Sequence, residues 1–208
     1  MTAPQGHADH TSDPTRIRAL AHPTRLALLD YLSGVEHATA TQCAEAIGES
    51  VASCSFHLRT LAKHGYIKRA ESGDAKSRPW EVAARDRTQS FAAEDPASLP
   101  AITALGTAVL AQETGRLEAF LRAMPTLPTE AMNRTLLAHT ALWLTEEEHE
   151  ELMDAVLALF QPFKERNTDG SLRPEGAQRN TVFMASTPDL AHYARPAVDA
   201  DEAQEEGR

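Results

Sequence analysis

Ser53, Ser55, Phe56, Arg59 and Lys63 share one stretch of helical composition, and Lys76 and Arg78 sit on the polar turn that follows it. Hydroxyls and cations of this kind do recognition chemistry at close range. A serine on an otherwise well-packed helix can meet the donors and acceptors of base edges in a major groove, and an aromatic ring can touch a thymine methyl. Arginine and lysine neutralise phosphates, and a basic hairpin tip can follow the backbone or enter the adjacent minor groove, whose potential favours Arg. Each group has a plainer alternative. Arg59 and Lys63 would also suit a solvated face, Ser53 and Ser55 an indifferent surface, Phe56 burial against the hairpin, and Lys76 with Arg78 a merely solubilising tip.

Other chemistry-bearing sets are weaker. Glu146 to Glu151 supplies many carboxylates, but they follow Thr145, and Thr145 with Glu148 reads as a capping box whose acids complement the helix dipole. A Gly-rich phosphate loop, a nucleophile elbow and a zinc-binding helix are all missing, so no enzymatic activity and no cofactor is expected. Cys43 and Cys54 fall in separate predicted helices, with Cys54 on a core stripe, where a buried thiol is the expected role. His7 and His10, two imidazoles three residues apart, make a poor metal site on their own, and His139, His149 and His192 have no ligand spacing. No metal is expected.

The elements that must position the recognition groups are legible around them. Ser50 can cap a helix over 51–64, Gly65 can end it, and Tyr66-Ile67-Lys68 changes to strand composition. The turn 71–78 leads to a second strand, Pro79 to Ala83, with Trp80 as its hydrophobic anchor. Cys54, Leu58 and Leu61 recur at helical spacing and should face a core with Ile47. Upstream, Pro14 to Leu20 is the first expected element. Pro23 opens a helix with the stripe Leu26, Leu29, Tyr31 and Leu32 up to Gly34, and Thr41 opens another, Gln42 to Ile47, ending at Gly48. The pattern is a recognition helix on a three-helix core with a two-stranded wing.

Beyond residue 88 the composition changes. Asp95-Pro96 can start a long helix with Ile102, Leu105, Val109, Leu117, Phe120 and Leu121, running to Pro125. At about 25 residues it would span about 38 Å, which suits a dimer interface, an ordinary core helix being the alternative. Arg134 to Leu144 alternates in a way that suits a strand buried on both faces, a helix follows Thr145, and a second strand is expected near Asn180 to Ala185. Trp143, Phe160, Phe163 and Phe183 would form the core of this small β-α-β unit or enclose a small hydrophobic ligand. The fold class expected is mostly α with small β. Its parts are a disordered tail (1–13), a winged helix-turn-helix domain (14–88), a long linking and dimerisation helix (89–125), a C-terminal β-α-β dimerisation or sensing unit (126–188) and an acidic disordered tail (189–208). Residues 15–88 carry a net charge of +3 and residues 89–208 of −11, within a formal −10 overall. The local excess, rather than the acidic total, bears on nucleic acid. There is no signal-peptide pattern and no apolar run of membrane-crossing length, and two cysteines cannot build a disulfide framework, so a cytoplasmic location is expected.

Two stretches resemble a known family. ALAHPTRLALLDYL looks like the second-helix signature of ArsR-like bacterial transcription regulators, and SVASCSFHLRTLAKHGYI looks like their recognition helix, with its Ser-x-His-Leu-x-x-Leu core at Ser55, His57, Leu58 and Leu61. The resemblance covers residues 17–83, about a third of the chain. It implies a homodimeric repressor whose recognition helices enter successive major grooves about 34 Å apart, and it adds His57 to the DNA-binding residues. The partners so implied are double-stranded DNA and a second copy of the chain; an unknown small-molecule effector is an open alternative, and the apolar pattern gives no reason to expect a membrane. Where relatives place polar residues at the start of the recognition helix, this chain has Val51 and Ala52, which leaves specificity to lean on shape and phosphate contacts. Metal-sensing relatives carry cysteine pairs in the third helix or Asp/His clusters on the last one, and this chain has neither. A winged-helix module that binds protein instead of DNA is the alternative function.

Overall fold

Four helix starts are written into single residues. The computed structural model describes residues 9–71, 78–84, 87–90, 92, 94–167 and 169–192. A short strand, β1 (Asp9–Thr11), precedes α1 (Pro14–Leu20), where the Asp13 carboxylate accepts the Thr15 N–H at 2.9 Å. In α2 (Pro23–Ser33) the cap is His22. In α3 (Ala40–Ile47) Thr39 and Gln42 form a reciprocal capping box, and Gly48 ends the helix at φ 71°, a left-handed conformation that glycine adopts without strain. Ser50 Oγ accepts the Ser53 N–H at 3.1 Å to open α4 (Val51–Lys63). Gly65, at φ 75°, closes it, and the Tyr66 N–H reaches back to the Leu61 carbonyl at 3.0 Å.

The chain then forms the antiparallel pair β2 (Ile67–Arg69) and β3 (Trp80–Val82), in which Lys68 faces Glu81 and Arg69 faces Trp80. Next come β4 (Arg87–Gln89), α5 (Ser98–Ala123), α6 (Thr129–Met132) and α7 (Glu146–Lys164). β1 pairs in parallel with β4, Asp9 opposite Arg87 and Thr11 opposite Gln89. Part of the stretch expected to be a disordered tail is therefore ordered. Thr11 is buried, and His10 Nε2 lies 2.9 Å from Ser90 Oγ. Residues 1–8 fall outside the described residues.

One core joins these pieces. Ile17, Leu28, Leu32, Cys43, Cys54, Leu58 and Leu61 have no exposed surface, and Tyr66 lies among them with its hydroxyl donating to the Arg16 carbonyl at 2.9 Å. Trp80 and Val82 close one side. Ala101 and Leu105 bring the first half of α5 against α1, and Ser98 fastens its start by exchanging hydrogen bonds with both backbone groups of Ala92. In α2 the buried positions are Leu28, Leu29 and Leu32, while Leu26 and Tyr31 are only half-buried. The stripe is thus rotated toward Leu28, four residues before Leu32 and so on the same face. The helix α3 begins one to two residues before the expected Thr41, because Thr39 rather than Thr41 supplies the capping oxygen.

The C-terminal region departs most from expectation. Among the described residues the strands lie between 9 and 89, and neither Arg134–Leu144 nor Asn180–Ala185 pairs with another segment. Alternating apolar residues favour a strand only where a neighbour can take up its backbone N–H and C=O groups, and none is supplied among the described residues. None of the four aromatic side chains expected to form a core there is buried. Trp143 is 87% exposed, Phe163 and Phe183 are exposed, and Phe160 is half-buried. The capping box at Thr145 and Glu148 is present, with Glu148 accepting the Thr145 N–H at 2.8 Å. Arg179–Arg208 is a separate unit, whose described residues hold one regular element, a 3-10 turn at Leu190–His192. No helix among the described residues is long and apolar enough to cross a membrane.

Leu58→Ala should lower stability by about 2–5 kcal/mol, whereas Leu157→Ala, on the exposed side of α7, should change it by less than about 0.5 kcal/mol. Urea unfolding followed by far-UV circular dichroism measures both. Equal effects would mean that the core has been misplaced.

Candidate nucleic-acid interface

The inner face of α4 is occupied by Cys54, Leu58 and Leu61, and that burial decides what its outer face can do. Phe56, Arg59 and Lys63 stand exposed, at i, i+3 and i+7, and therefore on one side of the helix. Phe56 is 58% exposed, so it is not buried against the wing. Ser53 and Ser55 are half-buried at the flanks. Thr60, on the same side, donates its hydroxyl to the Phe56 carbonyl at 3.1 Å and so turns part of its hydrogen-bonding capacity inward. Val51 and Ala52 are exposed at the start of the helix, presenting apolar surface where the first bases would be met.

The wing is fastened at its base. Trp80 exchanges both backbone hydrogen bonds with Ala38, at 2.7 and 2.9 Å, and its buried ring is covered by the Arg69 guanidinium 3.5 Å from its centroid. Trp80 is thus the anchor expected of it. Arg69 also donates to the Arg78 carbonyl. Arg78 is exposed and takes a left-handed backbone, φ 38°, uncommon for a side chain with a Cβ. Lys68 and Glu81 pair across the strands at 3.1 Å, which leaves Arg78 as the wing's outward cation among the described residues that were expected to contact DNA. Lys76 lies outside the described residues.

His57 is placed differently from the other site residues. Its half-buried ring turns toward the start of α2, where its centroid is 4.4 Å from that of His22, and Phe56 meets it edge-on at 5.2 Å. Burial first, then the neighbouring His22 and Arg25, hold its pKa below the usual 6.5, and Glu49 acts weakly in the other direction. His57 Nδ1 and Arg25 Nε are both enclosed without a hydrogen-bond partner. Sequence reasoning missed His22 and Arg25 as members of the site. The signal was present in His22-Pro23-Thr24-Arg25, a titratable cap and a cation within one turn of a helix start.

The cysteines belong to the core. Cys43 and Cys54 are fully buried and carry free thiols, and burial together with the charge of Cys54 pushes the Cys43 thiol up to about 11. Among the described residues no three His, Cys, Asp or Glu side chains gather in a way that could hold a metal ion.

The depressed His57 has a stability consequence of definite sign. The unfolded chain takes up a proton near pH 6.5 while the fold resists it, so the contribution is present above that value and is lost as pH falls through the lower, folded value. His57→Gln should therefore lose less stability than the parent between pH 7.5 and pH 5.5 in urea unfolding. An identical loss in both proteins would remove His57 from the acid response.

The fold so described has a counterpart in known sequences. The family model of a helix-turn-helix domain matches residues 20–69, from the end of α1 to the end of β2. No curated protein matches the chain. The amino-terminal part of the chain is a helix-turn-helix domain, an architecture that points to DNA-binding regulation.

Proposed function

We propose that the protein is a sequence-specific, DNA-binding transcription regulator of the ArsR-like kind, a repressor that binds operator DNA as a homodimer through the recognition helix 51–64 and the wing 71–78. It acts by binding and not by catalysis. The observation that carries this reading is α4 itself. Three fully buried side chains hold one face of it in the core, and Phe56, Arg59 and Lys63 project from the other, within a segment that matches a helix-turn-helix domain.

The dimer is supported by α5. Only its first half contributes buried residues, and Leu110, Leu117 and Leu121 stand exposed along the remainder, an apolar run of the kind that associating surfaces carry. The exposed apolar start of α4, with Val51 and Phe56, favours a second reading in which this face docks on protein. That reading predicts no affinity for duplex DNA.

Binding of the full chain to duplex fragments from the promoters of its own genomic neighbourhood, against non-specific competitor, separates the two. Arg59→Ala should weaken specific binding by about 1–3 kcal/mol if it contacts a base, and by a smaller, sequence-uniform amount if it meets only phosphate. Unchanged binding would take Arg59 out of the interface. Failure of every fragment would overturn the DNA reading.

A further inference from the structure

His22, Arg25 and His57 meet where the start of α2 packs beside α4, next to the exposed ring of Phe56. The backbone amides of the helix end are already engaged. Pro23 has none, Thr24 N–H donates to His22 Nδ1 at 3.2 Å, and the amides of Arg25 and Leu26 donate to the His22 carbonyl. Side chains, not the helix end, are what this place offers a ligand. His22 Nδ1 accepts that bond and so caps the helix through its ring. Its ring lies at 39° to that of His57. His57 Nδ1 and Arg25 Nε have no acceptor or donor opposite them, although a buried polar atom ordinarily has one.

Three nitrogen-bearing groups, one of them permanently cationic, therefore gather, and two of them, Arg25 and His57, hold a buried nitrogen without a partner. The charged and titratable groups acting on His57 are His22, Arg25 and Glu49, and the first two oppose a proton there. An anion reverses that balance. It would satisfy the guanidinium, and it would favour the imidazolium form of a neighbouring histidine, which has two N–H donors in place of one. The anion that the adjoining helix face would bring is a backbone phosphate.

We propose that His22, Arg25 and His57 form a proton-linked seat for one DNA phosphodiester, in which His57 takes up a proton from solvent as the phosphate docks. The proposal rests on the reading of α4 as a DNA-binding helix. By linkage, what raises proton affinity when DNA binds must raise DNA affinity when the proton binds. Affinity then increases as pH falls through the histidine range, by at most about tenfold per pH unit for one proton. This sign is opposite to that of the unliganded fold, which His57 makes less stable over the same range. A purely structural role for the cluster predicts weaker binding in acid.

Fluorescence anisotropy with a labelled operator duplex, at constant ionic strength between pH 8 and pH 5.5, reads the effect. The parent should bind several-fold more tightly at the acid end. His57→Gln should flatten the profile, and so should His22→Asn, which keeps a capping oxygen for α2; circular dichroism confirms that each is folded. Duplex binding that is independent of pH, or a profile that both variants retain, would overturn the seat while leaving the DNA reading intact. No duplex binding at any pH would overturn the DNA reading and the seat with it. If inorganic phosphate alone stabilised the parent but neither variant against heat, to the extent that the duplex does, the seat would belong to a small anion and the phosphodiester assignment would fall.

Discussion

The burial of Cys54, Leu58 and Leu61 against α2, α3 and Tyr66 is the constraint on which the rest of the molecule depends. A helix pinned along a stripe at i, i+4 and i+7 cannot roll about its axis without exposing those side chains, so its opposite face is fixed in space. That opposite face contains Phe56, Arg59 and Lys63. The wing is fixed by the same core, because Tyr66 follows directly from the end of α4 and Trp80 is bound to Ala38 by two backbone hydrogen bonds. Recognition groups on two separate elements are thereby held to one rigid body.

Rigidity has a local electrostatic consequence. Packing the start of α2 close to α4 brings a histidine cap, a guanidinium and a second histidine together, with buried nitrogens that no group among the described residues satisfies. Such unmet groups are destabilising in isolation. They are tolerable where a ligand completes them. The second half of α5 and α7 show the same on a larger scale: Leu110, Leu117, Leu121, Leu157, Leu159 and Phe163 remain exposed, with no opposing layer among the described residues.

How much of this was legible in the sequence follows from where each residue finds its partner. Capping is local, so Ser50, Gly48, Gly65 and the pair Thr145/Glu148 could be read directly, and so could the helical stripe of α4 and the anchoring role of Trp80. The orientation of α2 could not be settled as well, because Leu26 and Leu28 are equally apolar and only the packed neighbours choose between them. β1 escaped notice because three polar residues, Asp9 to Thr11, carry no periodic signal, and their partner lies far away at Arg87 to Gln89. The reverse error came at Arg134 to Leu144, where alternation is strong and no partner strand exists among the described residues. His57 was placed on the correct helix by resemblance alone. Its turn toward His22 and Arg25 depends on how two helices pack, which spacing within one helix does not encode.

The most direct measurement of the central claim, that this rigid face engages the DNA backbone and bases, is the affinity of the full chain for an operator duplex as a function of salt. Each phosphate neutralised by a cation such as Arg59, Lys63 or Arg78 releases counterions and contributes about −0.9 to the slope of log affinity against log salt. A linear decline corresponding to several phosphates, made shallower when these cations are replaced by alanine, is the expected result. A slope near zero, or one indifferent to those replacements, would contradict the account.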